Sequence, residues 1–250
     1  RIKDGMVRNV MAEAFSDTEI IAPVPHPTSC RDAYAFRQHV AAARRNRKVD
    51  MIPEYDQYPI FYFTNHNSIQ GPGDIVCMPD HFQQLDFELE ASIVICKPGR
   101  NIKAADADEY IGGLMIMNDM SARLLQMEEM KLNLGPAKGK DFSTVIGPML
   151  VTLDELEQYE VPCKEGHTGK AWNLGMKCWV NGIQVSEGNL SDTGCFLELN
   201  GTGKLNDPNY QEQWLQEGDV VEMEIDGLGK LSNTIVKDES DFSILALKKK

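Results

Sequence analysis

Glu88 and Glu90 stand two apart in the run Leu85-Asp86-Phe87-Glu88-Leu89-Glu90-Ala91-Ser92-Ile93-Val94-Ile95. Side chains alternate between the faces of a strand, so both carboxylates point one way. Phe87, Leu89 and Ala91 then point the other way, toward a core. Two neighbouring carboxylates repel unless a cation or a proton sits between them. The pair admits two readings: part of a metal site, or the wet face of a solvated strand edge, where charged residues ordinarily stay. Oxygen-only donors suit a hard cation such as Mg²⁺ or Ca²⁺, with Mn²⁺ as a further candidate, and not zinc or copper.

The elements that would position such chemistry can be read along the chain. Pro23-Val24-Pro25-His26-Pro27 is extended, because each proline biases its predecessor away from helix. Thr28 or Ser29 then caps a helix predicted from Arg31 to Arg47, with Ala33, Phe36, Val40 and Ala43 on one apolar face. On that helix Asp32 and His39 project from the same side, two turns apart. Ile60 to Thr64 reads as a strand by its aromatic and β-branched content, and Gly71-Pro72-Gly73-Asp74 as a turn. Ala104 to Glu109 reads as a short helix. Ile111 to Asn118 reads as a buried strand that delivers Asp119 at its end. Ser121 to Met130 is a predicted helix, and Gly135 to Lys140 a loop. Strands follow at Val145–Thr152, Gly175–Val180, Val220–Ile225 and Thr234–Val236, with Asn181-Gly182 as a hairpin turn. Strands dominate the second half, so the fold expected is α+β and β-rich, built on twisted sheets.

Composition limits the partners. Twenty-five basic residues against 38 acidic ones give a net charge of −13. This argues against nucleic acid, whose phosphates need a basic surface, but leaves room for an anionic substrate held by a local basic cluster. The six cysteines, Cys30, Cys77, Cys96, Cys163, Cys178 and Cys195, form no C-x-x-C pair. In a chain of 250 residues they read as reduced thiols, buried for the most part, in the cytoplasm. No apolar run is long enough to cross a bilayer, and Arg1 to Val10 lacks the apolar stretch of a signal peptide. The missing initial Met reads as a trimmed or partial chain. Lys248-Lys249-Lys250 reads as a solvated tail.

Asp32, Glu88, Glu90 and Asp119 thus stand at element edges, and spacing alone does not assemble them. Whole segments go further. Asp32-Ala33-Tyr34 with His39, Leu85 to Glu90, Met117-Asn118-Asp119-Met120-Ser121-Ala122-Arg123 and Gly139-Lys140-Asp141-Phe142-Ser143-Thr144 together resemble the fumarylacetoacetate hydrolase family, in order and in spacing, from about Pro23 to Val236. The resemblance implies a fumarylacetoacetase C-terminal-type mixed β-sandwich or roll with short flanking helices. It implies one catalytic domain over 1–250, with an extended and helical region (1–58) carrying Asp32 and His39 and a β-rich metal-binding core (59–250). It implies a homodimer with a divalent metal on Asp32, Glu88, Glu90 and Asp119. His39 then matches the histidine that activates water, Glu198 the glutamate that orients it, and Lys140 the lysine that stabilises developing negative charge. Tyr34, Gln126 and Thr144 match positions that contact substrate. Arg47 is chosen over Arg44, Arg45 and Lys48 for the substrate-binding arginine.

The chemistry implied is hydrolysis of a carbon–carbon bond in a β-diketo acid such as fumarylacetoacetate or another acylpyruvate. It needs a base of near-neutral pKa, which histidine supplies, an oxyanion stabiliser, and an electron sink for the leaving carbon, which a hard dication supplies as a Lewis acid. Decarboxylation of oxaloacetate type or isomerisation of a dioxo acid would use the same metal site, and a metal-binding scaffold without turnover is a third reading. Plain structural roles also stand: His39 as a surface helix residue, Asp119 as the cap of Ser121–Met130, Lys140 as a solvated loop residue, Glu198 in a surface ion pair. The chain departs from the family pattern between Asn189 and Cys195. There it lacks a stretch of a few tens of residues with a Gly-Ser-Gly-Thr type turn, so Thr193 is given no role. Met130 stands where the hydrolase of tyrosine breakdown is expected to carry a tyrosine.

Overall fold

The computed structural model describes residues 19–33, 36–46, 48–190, 194–240, 242 and 245. Tyr34, Arg47, Thr193 and the two chain ends lie outside them. In chain order the elements are β1 (Cys30–Ala33), α1 (Arg37–Asn46), β2 (Phe61–Thr64), β3 (Ile69–Gln70), β4 (Gly73–Cys77), β5 (Leu85–Asp86), β6 (Glu88–Ile95), β7 (Ile111–Asp119), β8 (Ser121–Ala122), α2 (Arg123–Glu129) and α3 (Ala137–Lys140). They continue as β9 (Thr144–Val151), β10 (Glu160–Val161), β11 (Ala171–Trp172), β12 (Gly175–Val180), β13 (Ile183–Asn189), β14 (Gly194–Cys195), α4 (Phe196–Asn206), β15 (Val220–Ile225) and β16 (Gly229–Lys237).

Two five-stranded sheets face each other, one in the order β13-β12-β15-β16-β4 and the other β14-β6-β7-β9-β3. Both are mixed, because β4 runs parallel to β16 and β3 parallel to β9. Their inner faces share one core: Leu89, Leu114, Ile116 and Val145 from one sheet, with Phe87 just before β6, meet Ile75, Met176, Met223, Leu231 and Ile235 from the other. Each such side chain gains roughly 1.5–3 kcal/mol by leaving water. The architecture is the mixed, β-rich α+β sandwich expected, with few helices.

β7 is buried on both faces. Leu114 and Ile116 enter the main core, while Met115 and Met117 join Ala22 and Ile146 in a second cluster on the outer face. A strand covered on both sides reads as an unbroken apolar run, which is why Ile111–Asn118 was legible. The Asn181-Gly182 turn joins β12 to β13 with φ of 52° and 75°, the twist a two-residue hairpin requires.

Three local expectations are overturned. The helix expected over Arg31–Arg47 is divided: Cys30–Ala33 is a strand paired antiparallel with β2, Asp32 opposite Tyr62, and helix begins only at Arg37. Cross-strand pairing outweighs the local helical pattern here, and Arg31 adds a contact over the Phe63 ring at 4.7 Å. Asp32 and His39 therefore do not share a helix face. Second, Ser121 and Ala122 pair with Asp86 and Leu85, so α2 starts at Arg123, and its cap position, Ala122, offers no side-chain bond. Asp119 does not cap it. Third, Gly135–Lys140 is not all loop, since Ala137–Lys140 forms a helical turn whose Lys140 is 4% exposed.

Candidate metal centre

Antiparallel pairing of β6 with β7 sets Leu89 opposite Asn118 and Glu90 opposite Met117. Glu88, Glu90 and Asp119 therefore share the outer face of the sheet, away from the main core. Asp32 reaches the same place from β1. One carboxylate oxygen from each of Asp32, Glu88, Glu90 and Asp119 lies within 4.8 Å of the other three. Asp119 is buried and the other three are half-buried, so the solvated-edge alternative for Glu88 and Glu90 fails.

Three donors reach into this cluster. The Tyr62 hydroxyl lies 3.0 Å from Oδ2 of both Asp32 and Asp119, with one proton to donate between them. Lys140 Nζ donates to Asp119 Oδ2 at 2.6 Å and also to Glu88 Oε2. The Arg123 fork donates through Nη2 to Glu88 Oε1 at 2.7 Å, through Nε to Asp86 Oδ2 at 2.8 Å and through Nη1 to Gln126 Oε1 at 3.2 Å.

Carboxylates outnumber cations, with Asp32, Asp86, Glu88, Glu90 and Asp119 set against Lys140 and Arg123. Without a metal the imbalance falls on protons. Burial drives the Glu90 carboxyl well above the ordinary range, and the charges of Asp32, Glu88 and Asp119 add to it. Burial likewise lifts Asp119 to about 8, Lys140 opposing and Glu88 and Asp32 assisting. Glu88 goes the other way: burial would raise it, but Arg123 and Lys140 outweigh that and hold it at about 2. Burial pushes the Tyr62 phenol up, with Asp119 and Asp32 adding, so it stays a donor. Burial would lower Lys140, yet Asp119 and Glu88 raise it, and it stays an ammonium. Asp119 Oδ1 is buried with no hydrogen-bond partner. A dication among these oxygens would replace the protons on Glu90 and Asp119 and give that orphaned oxygen a partner. The donor set fits a hard divalent cation.

His39 and Glu198 meet where α1 packs on α4, with His39 Nδ1 3.9 Å from Glu198 Oε2. That exceeds a hydrogen bond but lies within ion-pair range. Glu198 lies in the first turn of α4, which begins directly after Cys195, the strand partner of Glu88. Thr144 sits opposite Asp119 across β7 and β9, and its Oγ1 is buried without a partner. Gln126 enters through Arg123. Tyr34 and Arg47 lie outside the described residues.

Sequence reasoning gave no role to Tyr62, Arg123 or Asp86. Arg123 closes the Asn-Asp-x-Ser-Ala-Arg stretch and Asp86 stands two before Glu88, so both were signalled by position. Tyr62 looked like any strand aromatic. Beyond Leu89 the outer edge of β6 carries no strand among the described residues, since β14 pairs only with Glu88 and Leu89. Among the described residues no helix is long and apolar enough to cross a membrane.

Comparison with known proteins places these observations. The family model described as fumarylacetoacetate (FAA) hydrolase C-terminal matches residues 28–195. An oxaloacetate tautomerase of Xenopus laevis, named as mitochondrial, is 34% identical over 202 residues, covering 71% of this chain and 58% of that protein. A fumarylacetoacetase of Oryza sativa subsp. japonica is 34% identical over 285 residues, covering 83% of this chain and 65% of that protein. The chain thus spans less than two thirds of either relative. Among solved structures, a fumarylacetoacetate hydrolase from psychrophilic Exiguobacterium antarcticum superposes with a TM-score of 0.59 at 22% identity, over 87% of this chain and 78% of that one. A fumarylpyruvate hydrolase from Pseudomonas aeruginosa, solved with Mn²⁺ and pyruvate, superposes with a TM-score of 0.57 at 18% identity, over 79% and 86%. At those identities the likeness is one of fold.

Proposed function

Because the chain belongs to the fumarylacetoacetate hydrolase family, we propose that it is a divalent-metal-dependent hydrolase that cleaves the carbon–carbon bond of an acylpyruvate or fumarylacetoacetate-type diketo acid. The observation that carries this reading is a four-carboxylate cluster with a buried, orphaned oxygen, in a chain that also sets an imidazole facing a carboxylate one helical turn beyond Glu88's strand partner. In this reading Asp32, Glu88, Glu90 and Asp119 hold Mg²⁺, Ca²⁺ or Mn²⁺. When bound, the cation supplies Lewis-acid polarisation of the substrate's oxygens.

The chain's own residues do the rest. Glu198 keeps the Nδ1 side of His39 turned toward itself, and Nε2 takes a proton from water as the water oxygen attacks the carbonyl carbon. Lys140, held as an ammonium, faces the negative charge that develops on the attacked oxygen. As the carbon–carbon bond breaks, its electron pair goes to the departing carbon beside its own carbonyl, and Nε2 returns its proton there. Gln126 and Thr144 line the substrate, and Tyr34 and Arg47 are assigned to it by motif alone. The whole chain acts as one catalytic unit, as a homodimer. A second reading, keto–enol tautomerisation of oxaloacetate, is favoured by the name of the Xenopus laevis relative. It moves a proton between carbon and oxygen without attack by water.

One experiment separates them. Purified protein is given acylpyruvates, fumarylacetoacetate and oxaloacetate, with metal or with chelator, while ultraviolet absorbance and free pyruvate are followed. Hydrolysis consumes an acylpyruvate and releases one pyruvate per molecule, stops with chelator, and falls about 10²-fold or more in His39→Ala, the scale of a lost general base. Oxaloacetate interconversion with no acylpyruvate consumed selects the second reading. Cleavage that survives complete metal removal ends the first.

A further inference from the structure

Asp86 is fully buried and plays no part in the chemistry above. Its oxygens nevertheless accept four N–H groups. Oδ1 accepts from the backbones of Phe87 at 2.9 Å and Phe196 at 2.8 Å. Oδ2 accepts from the backbone of Leu197 at 3.0 Å and from Arg123 Nε at 2.8 Å. Phe196 and Leu197 open α4, where N–H groups lack partners inside the helix and favour negative charge. The cap-position residue, Cys195, supplies no side-chain bond. Asp86 does so from a strand more than a hundred residues earlier in the chain, at separations of 110 and 111. Arg123, held by the same carboxylate, goes on to Glu88. One buried group thus joins the turn carrying Glu198, the residue after Leu197, to the guanidinium that orients Glu88. β5 is itself anchored, with Asp86 paired to Ser121 and Leu85 bridged to Leu215.

We propose that Asp86 is a positioning residue: through α4 and Arg123 it fixes the Glu198–His39 pair in register with the carboxylate cluster. What the pair does in turnover rests on the proposed function; the link to metal binding does not. The test is Asp86→Asn in the full chain, which keeps the shape but replaces one acceptor oxygen by a donor. Mn²⁺ affinity is measured by calorimetry, amide exchange at Phe196 and Leu197 by NMR, and kcat and KM at saturating metal by the diketo-acid assay. The expected result is Mn²⁺ affinity at least about tenfold weaker, the scale for a group that orients a metal ligand, and faster exchange at both amides. With it, kcat falls at least about tenfold while KM changes far less. A role confined to stability would lower the melting temperature and leave affinity and kcat as in the parent, and that result overturns the proposal. If Asp86→Asn does not fold, Arg123→Lys breaks the same link from its other end. Weaker Mn²⁺ binding together with faster Leu197 exchange supports the proposal, and parental values in both overturn it. A parent that turns over no keto acid defeats the proposed function, while the metal and exchange measurements still decide the role of Asp86.

Discussion

Lys140 sits between two carboxylates that a metal would also claim. Its ammonium neutralises part of Glu88 and Asp119 and is almost wholly out of water. Removing one partner of a buried pair costs on the order of 3–5 kcal/mol when the other keeps its charge. Asp119 escapes that cost by holding a proton, which the parent already holds at pH 6 but has largely released above about pH 8, where the variant, without the opposing ammonium, must take it up again; Glu88 keeps Arg123. Lys140→Met is therefore expected to lower the melting temperature more at pH 8.5 than at pH 6, with added Mg²⁺ restoring part of the loss at the higher pH. Thermal melts at the two pH values, with and without Mg²⁺, check this, and an equal loss at both pH values without recovery sinks it. The residue types of the cluster were legible from Asp32, Glu88, Glu90, Asp119 and Lys140 in their motifs. Their partners were not. That Tyr62 bridges Asp32 and Asp119, or that Arg123 spans Asp86 and Glu88, depends on side-chain reach across strands, which sequence order does not encode.

Among the elements, the α2–α3 pair shows how backbone geometry delivers a side chain. A Cβ on Gly139 would stand 2.6 Å from Gln126 Cβ and 2.7 Å from its Cα, so the two helices touch backbone to backbone. Glu129 fastens the approach by accepting the N–H groups of Lys138 at 3.0 Å and Gly139 at 2.7 Å. Gly139→Ala must push α3 away, a forced repacking worth roughly 1–3 kcal/mol. Because Lys140 follows directly, the displacement reaches the carboxylates. The variant should bind Mn²⁺ more weakly than its melting temperature alone implies, as titration beside a melt would show. Parental metal affinity in a destabilised protein would refute the link. A glycine between two lysines after a proline reads locally as loop, and only the crowding against Gln126 explains both the glycine and the helical turn. The segment 31–47 taught the reverse lesson. Its apolar residues fit a helix, but β2 offers Cys30–Ala33 a pairing partner, and ladder bonds decide the conformation. β7, β12 and β15 were legible because burial dictates their composition directly.

At the scale of the whole molecule, the outer face of one sheet gathers negative charge in a chain that is already acidic. Folding without metal must therefore raise carboxyl pKa values. Asp119 titrates near 4 when unfolded and at about 8 when folded. Between those limits the folded, metal-free protein holds a proton that the unfolded chain has released. Stability is greatest below about pH 4 as far as this group is concerned, and it falls as pH rises to about 8. Glu90, raised in the same direction, adds to the trend. A divalent ion displaces those protons, so its binding releases them and strengthens toward pH 8. The gap in melting temperature between protein in Mg²⁺ and protein in chelator should therefore widen steadily from pH 5.5 to pH 8. Calorimetric titration in buffers of different ionisation enthalpy should find protons released at pH 6.5 and fewer above pH 8.5. A gap independent of pH, or binding without proton release, would mean that the four carboxylates do not receive the ion together.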